Sequence, residues 1–414
     1  MEILVHKGSH EIGGTCIQVT SGTTTILLDV GQPLSAESQH VDVSQLKADA
    51  VLVSHPHKDH FGLMDCLSQS TPVYIGELGK RLIDLTCVFL SKERCRNNFQ
   101  HFKAWKPFRL GDFTITPYLV DHSAIDAYAF LIEAEGKRLF YSGDLRSHGR
   151  KGKLFEHLVN HPIPDIDLMF LEGTMMHRSN DLFSDEGAVE KKIVEVIRAQ
   201  KNISFVISSS QNIDRIVSAY RACKRTGKTL VIDIYTAWVL EQVRKFTENV
   251  PGMEWPEIRV YADYSYDKTL KANPDYFGDF RKRLYRHRVK WQEMATNPSA
   301  FVYFGRMSSF RKIEAFKKAE GKVNIFYSQW QGYLDGSHPN YFGSDKIAAY
   351  REDPRVHFVY VHTSGHAPLK DLQRLAKALK PKALVPIHTE HAGDFSKNFE
   401  NVMTLKDGET FVLN

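Results

Sequence analysis

An α/β chain, β-rich at its start and interrupted by a strand–helix insertion, is what the sequence predicts, on three observations. The first third is a succession of short apolar runs separated by polar and glycine turns. From about Ser204 the rhythm changes to strand followed by amphipathic helix, and that alternation returns from His357 onwards. With 414 residues, 42% hydrophobic and 25% charged, the chain can bury about two or three domain cores without staples. That balance excludes long disorder, collagen-like repeats and coiled coils.

In chain order, Ile3–Gly8, Cys16–Thr20, Thr24–Val30, Ala50–Ser54 and Thr114–Val120 read as strands, and Ala127–Ala134 turns through Glu135-Gly136 into Arg138–Gly143 as a hairpin. Ser204–Ser209 precedes a helix with Ile213, Ile216, Val217 and Tyr220 at helical spacing, stopping near Gly227, before a strand at Thr229–Ile234. His357–His362 leads into a helix carrying Leu369, Leu372, Leu375 and Leu379 on one face, then the strand Ala383–Ile387. The stretch from 185 to 355 has the most irregular composition, including Asn273-Pro274-Asp275, and is expected to be an inserted domain between 1–184 and 356–414.

The net charge of +5 permits an anionic partner without requiring one. Five cysteines, none in a C-x-x-C pair, argue against a disulfide framework or a zinc ribbon. No apolar run approaches the roughly 18 residues of a bilayer span, and the first residues lack a basic segment followed by an apolar one. A cytoplasmic chain, or a nuclear one in a eukaryote, is expected.

The strand Ala50–Ser54 runs into His55-Pro56-His57-Lys58-Asp59-His60, four potential ligands within six residues. Alternate residues of an extended loop project to one side, so His55 and His57 can hold one cation while Asp59 and His60 face a second. His122, Asp144, Glu172, His366 and His388, like His55, each follow or end a segment read as a strand. Sites in α/β sheets form outside the strands' carboxyl ends, so these scattered residues can converge on one cleft.

The His-x-His-x-Asp-His motif, with Asp29 in LLDVG, His122 in VDHS and Asp144 in YSGD, resembles the metallo-β-lactamase superfamily. Glu172 in FLEGT, His366 in TSGHA and His388 in VPIHTE look like the additional motifs of its β-CASP nucleases. The resemblance implies a metallo-β-lactamase αβ/βα sandwich carrying an inserted β-CASP α/β domain. It implies one metal on His55, His57, His122 and Asp144 and another on Asp59, His60, Asp144 and His388, with Asp144 shared. Nitrogen and oxygen ligands suit Zn²⁺, with Mn²⁺ as the alternative. The implied activity is a metal-dependent nuclease hydrolysing RNA phosphodiesters by a hydroxide activated between the two metals, with Asp59, Glu172 and His366 as catalytic residues. His366, oriented by Glu172, is the expected general acid, and Asp29 the anchor of the ligand loop. By the same resemblance His388 favours RNA, with single-stranded DNA an open alternative. SSSQNIDRI is similar to the segment opening the β-CASP domain, which makes Ser210 and Asn212 candidate nucleic-acid contacts.

A basic stretch with six Lys or Arg in ten residues, among them Arg281, Lys282, Arg283, Arg286 and Arg288 around Tyr285, could hold phosphates and stack bases, or form a solvated helix face. Two positions depart from the family pattern: Pro368, without an N–H, where serine is usual, and Thr389, where glycine is common. Two other readings share part of the motif set. A small-molecule metallo-hydrolase, such as a thioesterase or lactonase, would use the first motifs alike. A non-catalytic β-CASP scaffold that binds nucleic acid would be expected to have lost ligands. Glu172, His366 and the complete ligand set argue against both. Oligomeric state stays open.

Overall fold

Burial sorts the strands into three sheets, which the computed structural model describes over residues 1–35, 38–178, 182–335 and 342–414. One unit comprises Met1–Asp84, Arg94–Asn180 and Gly365–Asn414, and the other Leu85–Glu93 and Asp181–Ser364.

The first unit holds two mixed sheets. One has the strand order Glu409–Val412, Glu2–Lys7, Cys16–Ser21, Thr24–Leu28, Ala50–Leu52, Pro72–Tyr74 and Asn98–Gln100. The other has the order Ala383–Ile387, Leu168–Glu172, Lys137–Tyr141, Tyr128–Ala134, Phe113–Leu119 and Phe108–Leu110. Period-two patterning brings them face to face: Ile3, Val5, Ile17 and Val19 from the first share one apolar cluster with Phe113, Ile115, Phe130 and Ile132 from the second. The alternate residues Ala129 and Leu131 point the other way, onto Phe155 and Leu158 of the helix Lys153–Asn160 and Leu372, Leu375 and Leu379 of the helix Leu369–Leu379. With both faces covered, this strand reads from Tyr128 to Ile132 as a continuous apolar run rather than an alternating one. This is the αβ/βα sandwich that the resemblance of the motifs implies.

The second unit is built on a seven-stranded sheet in the order Arg288–Val289, Ile258–Tyr261, Thr229–Asp233, Phe301–Gly305, Ser204–Ile207, Val323–Tyr327 and Val356–Tyr360. Every neighbouring pair is parallel. Such strands are buried on both faces, as Ser204–Ile207 and Val323–Tyr327 are at every residue. The helix Ile213–Thr226 starts where Asn212 Oδ1 accepts the Arg215 N–H (3.1 Å) and stops at Gly227 in the left-handed region, φ +65°.

The sequence reading puts the return to the first unit at residue 356, but Val356–Tyr360 pairs along its length with Val323–Tyr327 and stays in the second unit's sheet. The units part at Gly365 instead, and Leu85–Glu93 groups with the second. Both boundaries depend on long-range pairing that local composition does not encode.

Inside the second unit Arg215 is fully buried. Its guanidinium forms two hydrogen bonds to Glu186 (3.1 and 3.2 Å) and one to the Ser328 carbonyl (2.9 Å). Removing one member of such a pair strands the other charge away from water. Arg215→Ala is expected to cost about 3–5 kcal/mol in urea unfolding followed by circular dichroism. A loss below about 1 kcal/mol would show that the pair is not what holds this core.

Candidate metal centre

Strand direction decides which side chains meet. Thr24–Leu28 and Ala50–Leu52 are parallel, so Asp29, just past the first, and His55, three residues past the second, emerge at the same end. In the other sheet Phe113–Leu119 and Lys137–Tyr141 are both antiparallel to Tyr128–Ala134 and therefore run alike. Lys137–Tyr141, Leu168–Glu172 and Ala383–Ile387 are parallel to one another. His122, Asp144, Glu172 and His388 thus collect at one sheet end. His366 corrects the expectation of a strand end. It lies six residues beyond Tyr360 and enters through the turn before the helix Leu369–Leu379, tied down by the hydrogen bond from Ala367 N–H to the Leu145 carbonyl (2.7 Å).

Asp29 is completely buried and takes left-handed backbone, φ 57°. Its carboxylate accepts from the Ser54 N–H and hydroxyl (both 2.7 Å) and the Tyr141 hydroxyl (2.5 Å), and it meets His60 Nδ1 at 2.7 Å. The following residues clasp the ligand loop: Val30 N–H donates to the His60 carbonyl (2.8 Å) and Gln32 N–H to that of Lys58 (3.0 Å). Gly31 between them allows this approach, since a Cβ there would stand 1.8 Å from the Asp59 carbonyl oxygen.

Around Asp144 the donor atoms crowd together. Its Oδ2 lies 3.2 Å from His60 Nε2, 3.5 Å from His55 Nε2 and 4.0 Å from His122 Nε2. Its Oδ1 lies 3.7 Å from His388 Nδ1. His57 Nδ1 is 3.1 Å from His55 Nε2 and 3.2 Å from His122 Nε2. His388 Nε2 is 3.3 Å from Asp59 Oδ2. His122 Nδ1 donates to the Gly365 carbonyl (2.6 Å), which leaves Nε2 as its bare nitrogen toward the cluster.

Several triads lie within reach of a common ion, among them His55, His57 and His122; His55, His60 and Asp144; and Asp59, His60 and His388. His366 also enters two triads, with His122 and Asp144 and with Glu172 and His388. The buried atoms His60 Nε2 and Asp144 Oδ1 have no hydrogen-bond partner. Buried polar atoms are rarely left so. Orphaned nitrogen and carboxylate donors converging without a thiolate fit a divalent cation.

Burial, followed by repulsion from neighbouring imidazoles, keeps His55 and His122 well below the ordinary histidine range, and burial lowers His57. Burial opposes ionisation of Asp59 and Asp144, but the histidines around them hold both carboxyls below the usual range. Burial acts against protonation of His60 too, and is outweighed by Asp144 and Asp29. At His366 burial is likewise outweighed, chiefly by Glu172, which raises the ring to about 9. His366 Nδ1 sits 3.2 Å from Glu172 Oε1, whose other oxygen accepts the Thr174 N–H (3.0 Å).

The residues expected to touch nucleic acid are mostly occupied elsewhere. Ser210 is buried and accepts from the Thr236 hydroxyl (2.8 Å), and Asn212 caps its helix, so neither presents its side-chain oxygen outward. Arg281 is paired with Asp267 (2.8 Å), and Arg283 with Glu241, Asp279 and Glu254. The guanidiniums of Arg281 and Arg288 lie over the Tyr285 ring, at 4.7 and 5.1 Å. The face expected to stack bases is thereby used within the chain. Lys282 and Arg286 are exposed on or at the end of the helix Phe280–Arg286. Sequence reading missed Ser54, Tyr141 and Thr174, though each adjoins a quoted motif. Thr174 Oγ1 meets His388 Nδ1 at 2.9 Å. Thr389 gains a physical reading: its hydroxyl donates to the Gly173 carbonyl (3.0 Å) and accepts the His391 N–H (3.1 Å).

Residues 24–227 match the model of a beta-lactamase superfamily domain, and 355–404 that of a Zn-dependent metallo-hydrolase RNA specificity domain. The chain is 21% identical to ribonuclease J of Helicobacter pylori strain 26695 over 409 residues, covering 93% of this chain and 55% of that protein. It is 26% identical to an RNase J-like protein of Methanocaldococcus jannaschii over 97% of this chain and 95% of that one. The chain thus spans about half the length of the ribonuclease J relatives from Helicobacter. A crystal structure of a protein of unknown function from Enterococcus faecalis V583 superposes with a TM-score of 0.78 at 18% identity, covering 99% of both chains. With residues 24–227 and 355–404 matching these two domain models and the ribonuclease J relatives aligned along almost the whole chain, the chain belongs to the metallo-β-lactamase superfamily, in its β-CASP, RNase J-like family.

Proposed function

We propose that this chain is a metal-dependent ribonuclease, and the observation that carries the reading is the pairing of His366 with Glu172 beside a buried, orphaned His and Asp donor cluster. His55, His57, His122 and Asp144 would hold one divalent ion and Asp59, His60, Asp144 and His388 a second, most readily Zn²⁺, with Mn²⁺ the alternative. Bound there, such ions would supply positive charge to a phosphodiester and lower the pKa of a bound water.

The protein's own residues do the rest. Asp29 fixes His60 through Nδ1 and so aims Nε2 at Asp144. The Gly365 carbonyl does the same for His122 and thereby couples the His366 turn to the ligand set. Glu172 holds His366 by Nδ1, which leaves Nε2 to deliver a proton to the departing ribose oxygen. A carboxylate–imidazole pair beside the ligands distinguishes this arrangement from a small-molecule metallo-hydrolase built on the first motifs alone. RNA as substrate is supported by the RNA specificity domain match and by the ribonuclease names of the relatives. Single-stranded DNA is the second substrate to test. Among the described residues no helix is long and apolar enough to cross a membrane, and the buried Cys16 and Cys223 are free thiols, which suits the cytoplasm.

His366→Ala is expected to slow cleavage of end-labelled RNA by about 10²–10⁴ with metal content unchanged. Full rate, or loss of the ions, would remove it from the acid's role. Dialysis against a chelator is expected to abolish cleavage and Zn²⁺ or Mn²⁺ to restore it, while Asp59→Ala stays inactive at saturating metal. Cleavage that survives chelation would sink the metal-dependent reading. Asp29→Asn is expected to weaken metal binding about 10–100-fold in competition with a chromophoric chelator, and unchanged affinity would make the residue merely structural.

A further inference from the structure

The second unit carries a cavity of about 440 Å³ at the carboxyl ends of its central strands. Thr229–Asp233 is continued through the helix Ile234–Arg244 to Ile258–Tyr261 on one side, whereas Phe301–Gly305 is continued through the helix Phe310–Glu320 to Val323–Tyr327 on the other. Neighbouring parallel strands whose connections leave in opposite directions open a crevice between their carboxyl ends, the usual ligand position in open α/β sheets. Asp233 and Arg306 stand there, 2.8 Å apart.

The lining is aromatic and cationic. Tyr261, Tyr266 and Trp291 supply flat faces, and the exposed Phe342 stands at the rim. Arg306 lies over the Tyr235 and Tyr266 rings, at 4.5 and 5.4 Å. Both carboxylates in the lining are engaged: Asp233 with Arg306 and the Thr236 N–H, and Asp263 with Lys312 (2.9 Å) and the Ser265 N–H. Three cations, Arg306, Arg311 and Lys312, face these two carboxylates, so the cavity is formally positive by one charge, and Arg311 is exposed. The first turn of the helix Phe310–Glu320, with Arg311 and Lys312, borders the same space and adds the positive end of its dipole.

We propose that this cavity binds a nucleoside monophosphate unit, its base against the aromatic wall and its phosphate at Arg311 and the start of the helix Phe310–Glu320. A flat ring joined to a compact anion matches a pocket that places stacking faces beside one unbalanced cation. The unit could be a free mononucleotide or one nucleotide of an RNA strand. The proposal stands apart from the cleavage reading, because every residue in it belongs to the second unit and binding can be read without turnover.

The test is titration of the full-length protein in EDTA, read by tryptophan fluorescence, with adenosine 5′-monophosphate, a ten-residue oligoadenylate, adenosine and inorganic phosphate. Adenosine 5′-monophosphate, the oligoadenylate or both are expected to bind at least tenfold more tightly than adenosine or phosphate alone. Arg311→Glu is expected to weaken that binding tenfold or more, and Phe342→Ala by several-fold, with the circular dichroism spectrum and thermal midpoint unchanged. Binding of the mononucleotide alone identifies a free nucleotide, and binding of the oligomer alone identifies a strand. The proposal is overturned if neither binds at 1 mM, if phosphate binds as well as the nucleotide, or if Arg311→Glu binds like the unmodified protein.

Discussion

One buried carboxylate, that of Asp29, holds the metal centre's geometry together. It takes hydrogen bonds from Ser54 and Tyr141 and faces His60 at 2.7 Å, thereby joining the ligand loop of one sheet to a strand of the other. A carboxyl group enclosed away from water is tolerated only when its lone pairs are satisfied this fully. The left-handed backbone of Asp29 is a local cost that the same contacts offset, and His388 shows the same conformation, φ 55°, across the cluster. Because several donors converge on one group, shifting any of them disturbs the rest. The ligand loop therefore behaves as a unit rather than as separate side chains.

Sheet architecture makes this possible at large sequence separation. Asp29 and His55 in one sheet, and His122, Asp144, Glu172 and His388 in the other, leave short segments after parallel or like-running strands, so backbone pairing rather than loop chance determines which end they share. The continuous burial from Tyr128 to Ile132, with one set of side chains in the sandwich and the other under helices, keeps that frame stiff. His366 is the exception. It is placed by a turn and the start of a helix, and it is more open to solvent than Glu172, with 19% of its side chain exposed against none. A group that exchanges a proton with a leaving oxygen needs that access, whereas the carboxylate orienting it gains strength from being enclosed.

The metal-centre residues were legible in the sequence because their chemistry is local: six consecutive positions from His55 to His60 concentrate ligands, and Asp144, Glu172 and His388 each close a readable strand. The β-rich start and the strand–helix insertion were legible for the same reason, since period-two and helical patterns survive without tertiary information, whereas the sandwich came from the resemblance of the motifs. Supporting residues were not. Ser54, Tyr141 and Thr174 are chemically ordinary, and only their distance from Asp29 and His388 distinguishes them. The basic stretch left two readings open because a string of cations says nothing of its partners. Asp267 and Glu241, distant in sequence, pair with Arg281 and Arg283, and Tyr285 is covered by two guanidiniums. The boundary at Gly365 was illegible because Val356–Tyr360 looks like any parallel strand until its neighbour is known.

Electrostatics divides the cluster into two kinds of site. Around His55, His57 and His122, burial and mutual repulsion favour neutral rings, whose bare nitrogens suit coordination. Around His60 and His366, carboxylates overcome burial and favour protonated rings. At His60, whose Nε2 faces Asp144, a bound divalent cation would have to displace the proton, whereas Glu172 favours the protonated ring of His366. The fold thus separates neutral rings, whose bare nitrogens suit a metal, from rings held protonated beside carboxylates, and it does so with burial and the placement of carboxylates rather than with any difference between the histidines.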